Sequence, residues 1–324
     1  MKKKPVWLDC DPGHDDCFAI ALAAYHQKLN LLGISTTGGN QSVEKTTSNA
    51  LSWLSHIGKS TIPVYRGEAN PLVLKPQICA EIHGESGLES FSSSQEHLAT
   101  ALKPQKQGAV SAMAETILRS AEPVTLIGIA RLTNIALMLQ RFPDVTQNIE
   151  QIVLMGGALG VGNTQPVSEF NIESDPHAAE IVFNGASQDY KLVMIPLEVT
   201  HRVLVTPDIF RRVRSLGEFG LLCEDLLLFF KDPYEPVFGF PPPPLHDPCA
   251  VYYVTNPEQF TTRLVNVEIE TSSPLSLGQT VADMYSRTDR TPNVIVGTDI
   301  NTERFWETML EALKAVTRAS DAGE

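Results

Sequence analysis

The sequence predicts an α/β fold in which a central, mostly parallel sheet is flanked by helices. Two observations predict this class. Short buried apolar runs alternate with helical segments through the first two thirds of the chain, an order typical of parallel strands joined by right-handed crossovers. Polar residues follow several of these runs, at the strand ends where ligands bind in open α/β sheets. The predicted core is therefore Rossmann-like, and a small antiparallel extension is expected near the C-terminus.

The first elements form a strand-helix-strand unit. An apolar run at residues 6–8 enters an acidic turn, and a periodic apolar segment follows at residues 17–24. Pro12 and Gly13 supply the bend between a strand and a helix. A second apolar run at residues 31–36 ends in a glycine-rich turn, so it is predicted to be the next strand.

The middle of the chain continues the same alternation. Residues 66–108 lack strong periodicity and are predicted to form a long functional loop. Thr133 and Asn134 are predicted to cap a helix that Pro143 ends. In order, the predicted elements are a helix at 43–57, a strand at 62–65, a helix at 109–120, a strand at 124–129, a helix at 133–142, a strand at 152–155, a helix at 176–183 and a strand at 191–195.

The last third changes character. Residues 232–245 are rich in proline and aromatic residues and are predicted to be an adjustable loop. The surrounding predictions are a helix at 221–231, a helix beginning at 246–247, antiparallel strands at 264–269 and 293–296, and a closing helix at 302–315. We predict one domain over residues 1–324, with mobile active-site segments around 72–90 and 223–245, because no repeat, low-complexity linker or composition boundary divides the chain.

Composition narrows the range of functions. The 324 residues include 43% hydrophobic and 19% charged residues, with a net charge of −13. An acidic surface disfavours nucleic acid and anionic membranes as partners, and no apolar run reaches the roughly 18 residues of a membrane span. The five cysteines are odd in number and scattered, which favours reduced thiols and a cytoplasmic location.

The stretch Asp9–Asp16, DCDPGHDD, carries four carboxylates in eight residues. Backbone N–H groups at a helix start can hold one or two of them, so the remainder need a cation. A calcium-binding EF-hand loop is excluded, because its twelfth position would be Ile20 instead of a glutamate. A phosphatase of the haloacid dehalogenase type, with Asp9 as nucleophile, stays open as an alternative, although Gly13 departs from that pattern.

Further polar residues follow predicted strands or lie in long loops. Each has a simple structural explanation when it is considered alone; Asp247, for example, precedes Pro248 and could cap a helix. Their shared placement favours a common site. They are Asn40, His83, Asn163, Glu169, Asn171, His246 and Asp247.

At these residues the sequence resembles the inosine-uridine nucleoside hydrolases. The matching segments occur in family order from residue 5 to about residue 310. They are DCDPGHDD at 9–16, Gly39–Asn40, HGESG at 83–87, Leu132–Thr133–Asn134, VLMGG at 153–157, SEFN at 168–171 with Asp175–Pro176, and His246–Asp247–Pro248. The resemblance, and not the periodicity, identifies ribonucleosides as the expected substrates: uridine, inosine and cytidine, hydrolysed in nucleoside salvage.

The resemblance implies a Ca²⁺ ion held by the carboxylates of Asp11, Asp16 and Asp247 and by the backbone carbonyl of Ile129. Hard oxygen ligands suit this ion. Asp11 would also act as general base toward water, and Asp9 would support the turn. The resemblance further implies a homodimer or homotetramer.

The other implied roles concern the nucleoside. His246 would protonate the leaving base, assisted by Tyr234. The ribose-binding residues would be Asp15, Asn40, Asn163, Glu169, Asn171 and Met155. The base-binding residues would be His83, Phe170 and Phe230.

One position departs from the family pattern. Relatives usually carry glycine and proline, or two glycines, before Leu-Thr-Asn, whereas this chain has Ala130 and Arg131. If Arg131 points into the calcium site, its positive charge would weaken metal binding. The site would be unaffected if the side chain points away or pairs with a carboxylate such as Asp9. A nucleoside-binding relative with weakened catalysis is therefore a third hypothesis.

Overall fold

A computed structural model describes residues 2–89, 102–186, 189–238 and 242–321. Within these ranges the side chains of Glu81, of residues 230–238 and of residues 320–321 are not described. The strands are β1 Lys4–Cys10, β2 Leu29–Thr36, β3 Val64–Arg66, β4 Val124–Gly128, β5 Ile149–Met155, β6 Leu192–Ile195, β7 Phe260–Val265, β8 Val267–Ile269, β9 Thr280–Ala282 and β10 Val294–Ile300.

The α-helices of the described residues alternate with these strands. They are His14–Tyr25, Val43–His56, Ala80–His83, Ala109–Arg119, Thr133–Arg141, Phe170–Glu173, Pro176–Gly185, Leu197–Thr200, Pro207–Arg214, Glu218–Phe238, Pro248–Thr255 and Thr302–Asp321. No helix among the described residues has the length and apolar character needed to cross a membrane.

Eight strands form the central sheet in the order β3-β2-β1-β4-β5-β6-β10-β7. All neighbours are parallel except β10 and β7. The chain builds outward from β1 through β2 to β3 and then crosses back to place β4 on the other side of β1. This reversal between β1 and β4 opens a crevice at their carboxyl ends, the usual ligand position in such sheets.

Side chains of β1 illustrate how the sheet is buried on both faces. Val6, Leu8 and Cys10 pack in one apolar layer, and Trp7 packs in the layer on the opposite face. This period of two follows from strand geometry. Helices cover both faces, so only the loops at the strand ends remain available for polar chemistry.

The predicted α/β class is confirmed, and every predicted strand overlaps an observed one. The antiparallel extension is also present, in two parts: β7 pairs with β10 at the edge of the main sheet, and β8 pairs with β9 in a separate two-stranded sheet. The predicted strand at 264–269 is divided at Asn266 between β7 and β8.

Two predicted boundaries were wrong. The helix Glu218–Phe238 continues through residues 232–238, which were expected to be a loop because Pro233 and Pro236 each remove a backbone hydrogen bond and usually kink or end a helix. The helix Thr133–Arg141 has Leu132 at its N-cap position and no side-chain cap. The side chains of Thr133 and Asn134 bind Asp175 and Asp9 instead.

Candidate active site

The acidic turn joins the end of β1 to the helix His14–Tyr25, whose N-cap is Gly13. Asp16 folds back over the turn: its Oδ1 accepts from the Asp11 N–H at 3.1 Å, and its Oδ2 accepts from the Gly13 N–H at 2.9 Å. The third helical residue thus closes the bend that Pro12 and Gly13 make. One carboxylate is used in this way, as helix N-termini commonly use one.

Asn40, in the turn after β2, connects two of the aspartates. Its backbone N–H donates to Asp11 Oδ2 at 2.7 Å, and its side-chain Nδ2 donates to the Asp11 carbonyl and to Asp16 Oδ2, each at 3.1 Å. Gly39 allows this approach, since a Cβ there would lie 2.0 Å from Asp11 Oδ2. The predicted proximity of Asn40 to the acidic turn is therefore present in the structure.

Three buried carboxylates converge on one point. Oxygen atoms of Asp15, Asp16 and Asp247 all lie within 4.8 Å of one another. Asp247 occupies the N-cap position of the helix Pro248–Thr255, but its side chain makes no cap hydrogen bond and is directed to the cluster instead. The structure thus brings together Asp16 and Asp247, which were predicted ligands, and adds Asp15, which was assigned to the ribose.

The electrostatics of the cluster favour a cation. Burial raises the pKa of Asp15 to about 7 and that of Asp16 to about 6. Burial, followed by repulsion from neighbouring carboxylates, raises the pKa of Asp11 and Asp247 well above the usual range. The N–H donors around the turn therefore do not compensate the charge. An all-oxygen set of this kind fits a hard divalent ion.

Asp9 lies beneath the cluster. Its Oδ1 accepts from Ser35 Oγ at 2.5 Å and from Asn134 Nδ2 at 2.8 Å, and the residue is buried. Burial raises its pKa to about 6. These contacts tie β1 to β2 and to the helix Thr133–Arg141, which supports a structural role and argues against Asp9 as a phosphatase nucleophile.

The loops after β4 and β5 supply the next group. Glu169 accepts from the N–H groups of Asn171 at 3.0 Å and Gly157 at 2.9 Å, and burial raises its pKa to about 7. Asn171 Nδ2 donates to the carbonyls of Ile129 and Met155, each at 3.2 Å. Four of the predicted site residues therefore lie together at the ends of two neighbouring strands.

Asn163 and Phe170 lie on the same loop. The Oδ1 atom of Asn163 accepts from the Phe170 N–H at 3.0 Å, and Phe170 begins the short helix Phe170–Glu173. The Asn163 carboxamide thus holds the backbone that leads into the helix. A ribose contact by this side chain stays a prediction.

Two histidines border the acidic turn. His83 Nδ1 lies 3.3 Å from His14 Nδ1, and a Cβ on Gly13 would lie 2.5 Å from the same His83 atom. His246 Nδ1 lies 2.8 Å from Thr200 Oγ1. Burial lowers the pKa of His83 and His246 well below the usual value of histidine, so both rings are neutral near pH 7.

Comparison with known proteins decides the family. The profile of the inosine-uridine preferring nucleoside hydrolases matches residues 6–307. The chain belongs to this family. As a nucleoside hydrolase it is an enzyme that hydrolyses N-glycosyl bonds of ribonucleosides.

Named relatives and solved structures agree with this assignment. The pyrimidine-specific ribonucleoside hydrolase RihA of Shewanella sp. (strain MR-4) is 41% identical over 97% of both chains. A probable ribonucleoside hydrolase of Dictyostelium discoideum is 40% identical over 95% of this chain and 94% of its own. The purine-preferring ribonucleoside hydrolase of Gardnerella vaginalis has a TM-score of 0.88 at 28% identity, covering 97% of this chain and 99% of that one.

Arg131, the departure from the usual nucleoside hydrolase pattern, makes its hydrogen bonds outside the carboxylate cluster, while its positive charge partly offsets the rise in pKa that burial causes at Asp11 and Asp9. The side chain is buried. Its Nε donates to Thr37 Oγ1 at 3.0 Å, and its Nη2 donates to the Glu68 carbonyl at 3.1 Å. The guanidinium group therefore binds the loops after β2 and β3.

Two residues expected near the base lie in one long helix. Phe230 and Tyr234 lie in the helix Glu218–Phe238, and their side chains are outside the described part of the structure. Their predicted roles in base binding and in protonation stay predictions.

Sequence reasoning missed three residues of this nucleoside hydrolase site. His14 stacks on Phe229, with ring centroids 4.8 Å apart, and contacts His83. Thr200 and His201 contact His246, the latter with ring centroids 5.5 Å apart. For Thr200 and His201 the available signal was their position soon after the predicted strand at 191–195, and for His14 it was its position inside the acidic turn.

Proposed function

We propose that this nucleoside hydrolase cleaves the N-glycosidic bond of uridine most efficiently, accepts inosine and cytidine, and uses Ca²⁺. The buried cluster of Asp15, Asp16 and Asp247 carries the proposal. The preference for a pyrimidine is supported by relatives about 40% identical that are named pyrimidine-specific.

The proposed ligands of Ca²⁺ are Asp11, Asp16, Asp247 and the Ile129 carbonyl, and Asp15 is close enough to contribute. Ca²⁺ bound there would supply positive charge that favours loss of a proton from the attacking water. Asp11 would accept that proton as general base. Asn40 supports this role, because its hydrogen bond to Asp11 Oδ2 fixes the carboxylate orientation.

The ribose would be held by residues from several strand ends. Asp15 is proposed to accept a hydrogen bond from the 2′-hydroxyl, Asn171 to bind near the 3′-hydroxyl, and Glu169 and Asn163 near the 5′-hydroxyl. The remaining members of the proposed ribose site are Asn40 and Met155. Because Glu169 and Asn171 are already held by backbone groups, they would meet the ribose with little loss of side-chain entropy.

The leaving base would be stabilised by His246, with His83, Phe170 and Phe230 around the base and Tyr234 assisting. Burial keeps the His246 ring neutral near pH 7 before reaction. Negative charge developing on the departing base would raise the pKa of His246, since a nearby opposite charge favours the protonated ring. The ring would then take up a proton from solvent on one nitrogen and pass a proton to the base as the bond breaks, which returns the ring to its neutral form.

A reducing-sugar assay with uridine, cytidine, inosine and adenosine tests the proposal. We expect Asp11→Ala to stay folded and to lose about three orders of magnitude in turnover, the contribution of a general base. Asp144→Ala, an exposed aspartate, is the matched control and should keep full activity. Unchanged rates in Asp11→Ala would contradict the mechanism.

The same purified protein also tests the two alternative functions, a phosphatase and a nucleoside-binding relative with weakened catalysis. Release of phosphate from a phosphomonoester, with Mg²⁺ required and nucleosides untouched, would select the phosphatase hypothesis. Calorimetric binding of uridine without release of ribose would select the weakened nucleoside-binding relative. The hydrogen bonds of Arg131 to Thr37 and to the Glu68 carbonyl, outside the cluster, support the active enzyme over that alternative. A homodimer or homotetramer and a cytoplasmic location stay predictions.

A further inference from the structure

We propose that Arg131 is a positioning residue that braces the turn formed by residues 37–40 and so holds Asn40 against Asp11 and Asp16. The proposal rests on the proposed function only where it concerns catalysis. It follows from a closed ring of hydrogen bonds between Arg131, Thr37 and Glu68.

The ring uses one edge of the guanidinium group, the edge that carries Nε and Nη2. Nε donates to Thr37 Oγ1 at 3.0 Å, and Nη2 donates to the Glu68 carbonyl at 3.1 Å. Thr37 Oγ1 in turn donates to the same Glu68 carbonyl at 3.0 Å. Two acceptors that are themselves joined fit the fixed fork of an arginine.

The braced turn leads directly to the active-site contacts. The Gly38 N–H also donates to the Glu68 carbonyl, at 3.2 Å, and a Cβ on Gly38 would lie 3.0 Å from Arg131 Nη2. Arg131 is thus in close contact with the backbone at Gly38, two residues before Asn40. Movement of this backbone would displace the Asn40 N–H from Asp11 Oδ2 and its Nδ2 from Asp16 Oδ2.

The two N–H donors of the guanidinium group, more than its charge, are proposed to hold the turn at residues 37–40 in place. Both hydrogen-bond acceptors of Arg131 are neutral, a hydroxyl and a carbonyl, and its Nη1 has no hydrogen-bond partner among the described residues. Its positive charge also partly offsets the rise in pKa that burial causes at Asp11 and Asp9, so the two contributions need separate tests. A lysine keeps the positive charge, but its single ammonium cannot reproduce two donors in this planar arrangement. Arg131→Lys therefore separates the two explanations.

The first measurement is backbone amide exchange over residues 37–42 in protein freed of metal by a chelator, which does not depend on catalysis. We expect faster exchange there in Arg131→Lys, Arg131→Met and Thr37→Val. Asn148→Ala is the matched control, because it loses two hydrogen bonds to backbone carbonyls, those of Ile117 and Ser120, away from this turn. It should leave exchange at 37–42 unchanged.

The second measurement is kcat/KM for uridine with Ca²⁺. We expect a loss of about tenfold in both Arg131 variants, the order expected for one buried charge-assisted hydrogen bond, and a smaller loss in Thr37→Val. Wild-type exchange and activity in Arg131→Lys would overturn the proposal in favour of charge. Unchanged exchange in all three variants would overturn the bracing role itself.

The bracing role of Arg131 can be tested even if one variant does not fold or the proposed function is wrong. If Arg131→Met fails to fold, Thr37→Val, which keeps the side-chain shape, still removes one side of the ring. If the wild-type enzyme fails to hydrolyse nucleosides, the proposed function fails, yet the exchange result still supports or overturns the brace.

Discussion

At the scale of single residues, the carboxylates of the first turn differ in the donors that surround them. Asp9 is held by Ser35 and Asn134, Asp16 by backbone N–H groups of its own turn, and Asp11 by Asn40. The sequence predicted that four carboxylates need a cation, because their spacing is visible in the chain. It could not predict which oxygens converge, since Asp247 joins from more than two hundred residues away.

Gly39 provides a sharp test of the Asp11 position. A Cβ at Gly39 would lie 2.0 Å from Asp11 Oδ2, so Gly39→Ala must displace the carboxylate that we propose as base and ligand. We expect turnover of uridine to fall at least about a hundredfold and Ca²⁺ affinity by calorimetry to fall with it. Gly108→Ala, where a Cβ would meet nothing within 4 Å, should behave as wild type. Wild-type kinetics in Gly39→Ala would contradict the proposed role of Asp11.

Thr200 shows what sequence reasoning cannot find. The position of His246 before Asp247 and Pro248 is part of the family pattern, but its partner Thr200 lies on a different segment. Apart from its position after a predicted strand, this threonine has no signal in the sequence. The fold reveals the contact, because the backbone of Val203 and Val205, just after Thr200, bonds to the backbone of Leu245 and Pro243, just before His246.

We expect Thr200→Val to lower kcat for uridine about tenfold, because the His246 ring loses the hydrogen bond that fixes its orientation. KM should change little, since Thr200 is not placed in the ribose site. Thr255→Val is the control, a buried threonine whose hydroxyl bonds the Tyr252 carbonyl. An equal loss of kcat in both variants would indicate a general packing effect instead of orientation of His246.

At the scale of secondary structure, strands were predicted more accurately than helix ends. Buried strands of a parallel sheet have nearly continuous apolar sequences, such as Leu192–Ile195. Helix boundaries depend on tertiary contacts. Thr133 and Asn134 have the composition of a cap, but Asp175 and Asp9 compete successfully for their side chains.

Asp175 connects three elements and should matter for stability. Its Oδ1 accepts from the Ala178 N–H at 3.1 Å as a helix cap, while its Oδ2 accepts from the Leu72 N–H at 2.9 Å and from Thr133 Oγ1 at 2.6 Å. Asparagine has one acceptor oxygen and one NH₂ group in place of the two carboxylate oxygens. In Asp175→Asn the NH₂ group therefore faces the N–H of either Ala178 or Leu72, and that N–H loses its acceptor. We expect a loss of about 2 kcal/mol in the free energy of unfolding.

Urea unfolding of Asp175→Asn measures this loss. Asp144→Asn makes the same chemical change at an exposed position and should lie within about 0.5 kcal/mol of wild type. Equal midpoints for the two variants would show that Asp175 contributes only as a solvated cap.

At the scale of the whole molecule, the strand order explains why distant residues share one site. The strand order reverses between the paired strands β1 and β4. The acidic turn, Ile129 and the loop to Asn171 all follow strands at the carboxyl edge of the sheet near this reversal. The alternation of strands and helices predicted that the site lies at the carboxyl ends of the parallel strands. The insertion of β10 between β6 and β7 could not be predicted, because nothing in the sequence of β10 specifies its neighbours. Since one sheet includes strands from Lys4 to Ile300, we propose a single domain.

The charge of the site should make the stability of the metal-free protein fall as pH rises. Burial raises the pKa of Asp9 and Asp16 to about 6 and of Asp15 to about 7. In the unfolded chain these groups titrate near 4, so between about pH 4 and pH 7 the folded protein holds protons that the unfolded chain has released. The stabilisation is complete below that range and is lost as pH rises through the folded pKa values.

We therefore expect chelator-treated protein to melt at least about 5 °C lower at about pH 8 than at about pH 5. Added Ca²⁺ should restore most of the difference, because it binds the ionised carboxylates and favours the folded state. Part of the pH dependence should persist with Ca²⁺, since Glu169 also has a pKa raised to about 7 and lies outside the cluster. Asp247→Asn removes one buried carboxylate, so it should weaken both the pH dependence and the response to Ca²⁺. A melting temperature that rises with pH in the chelated protein, or one indifferent to Ca²⁺, would show that the aspartates are compensated by groups other than a cation.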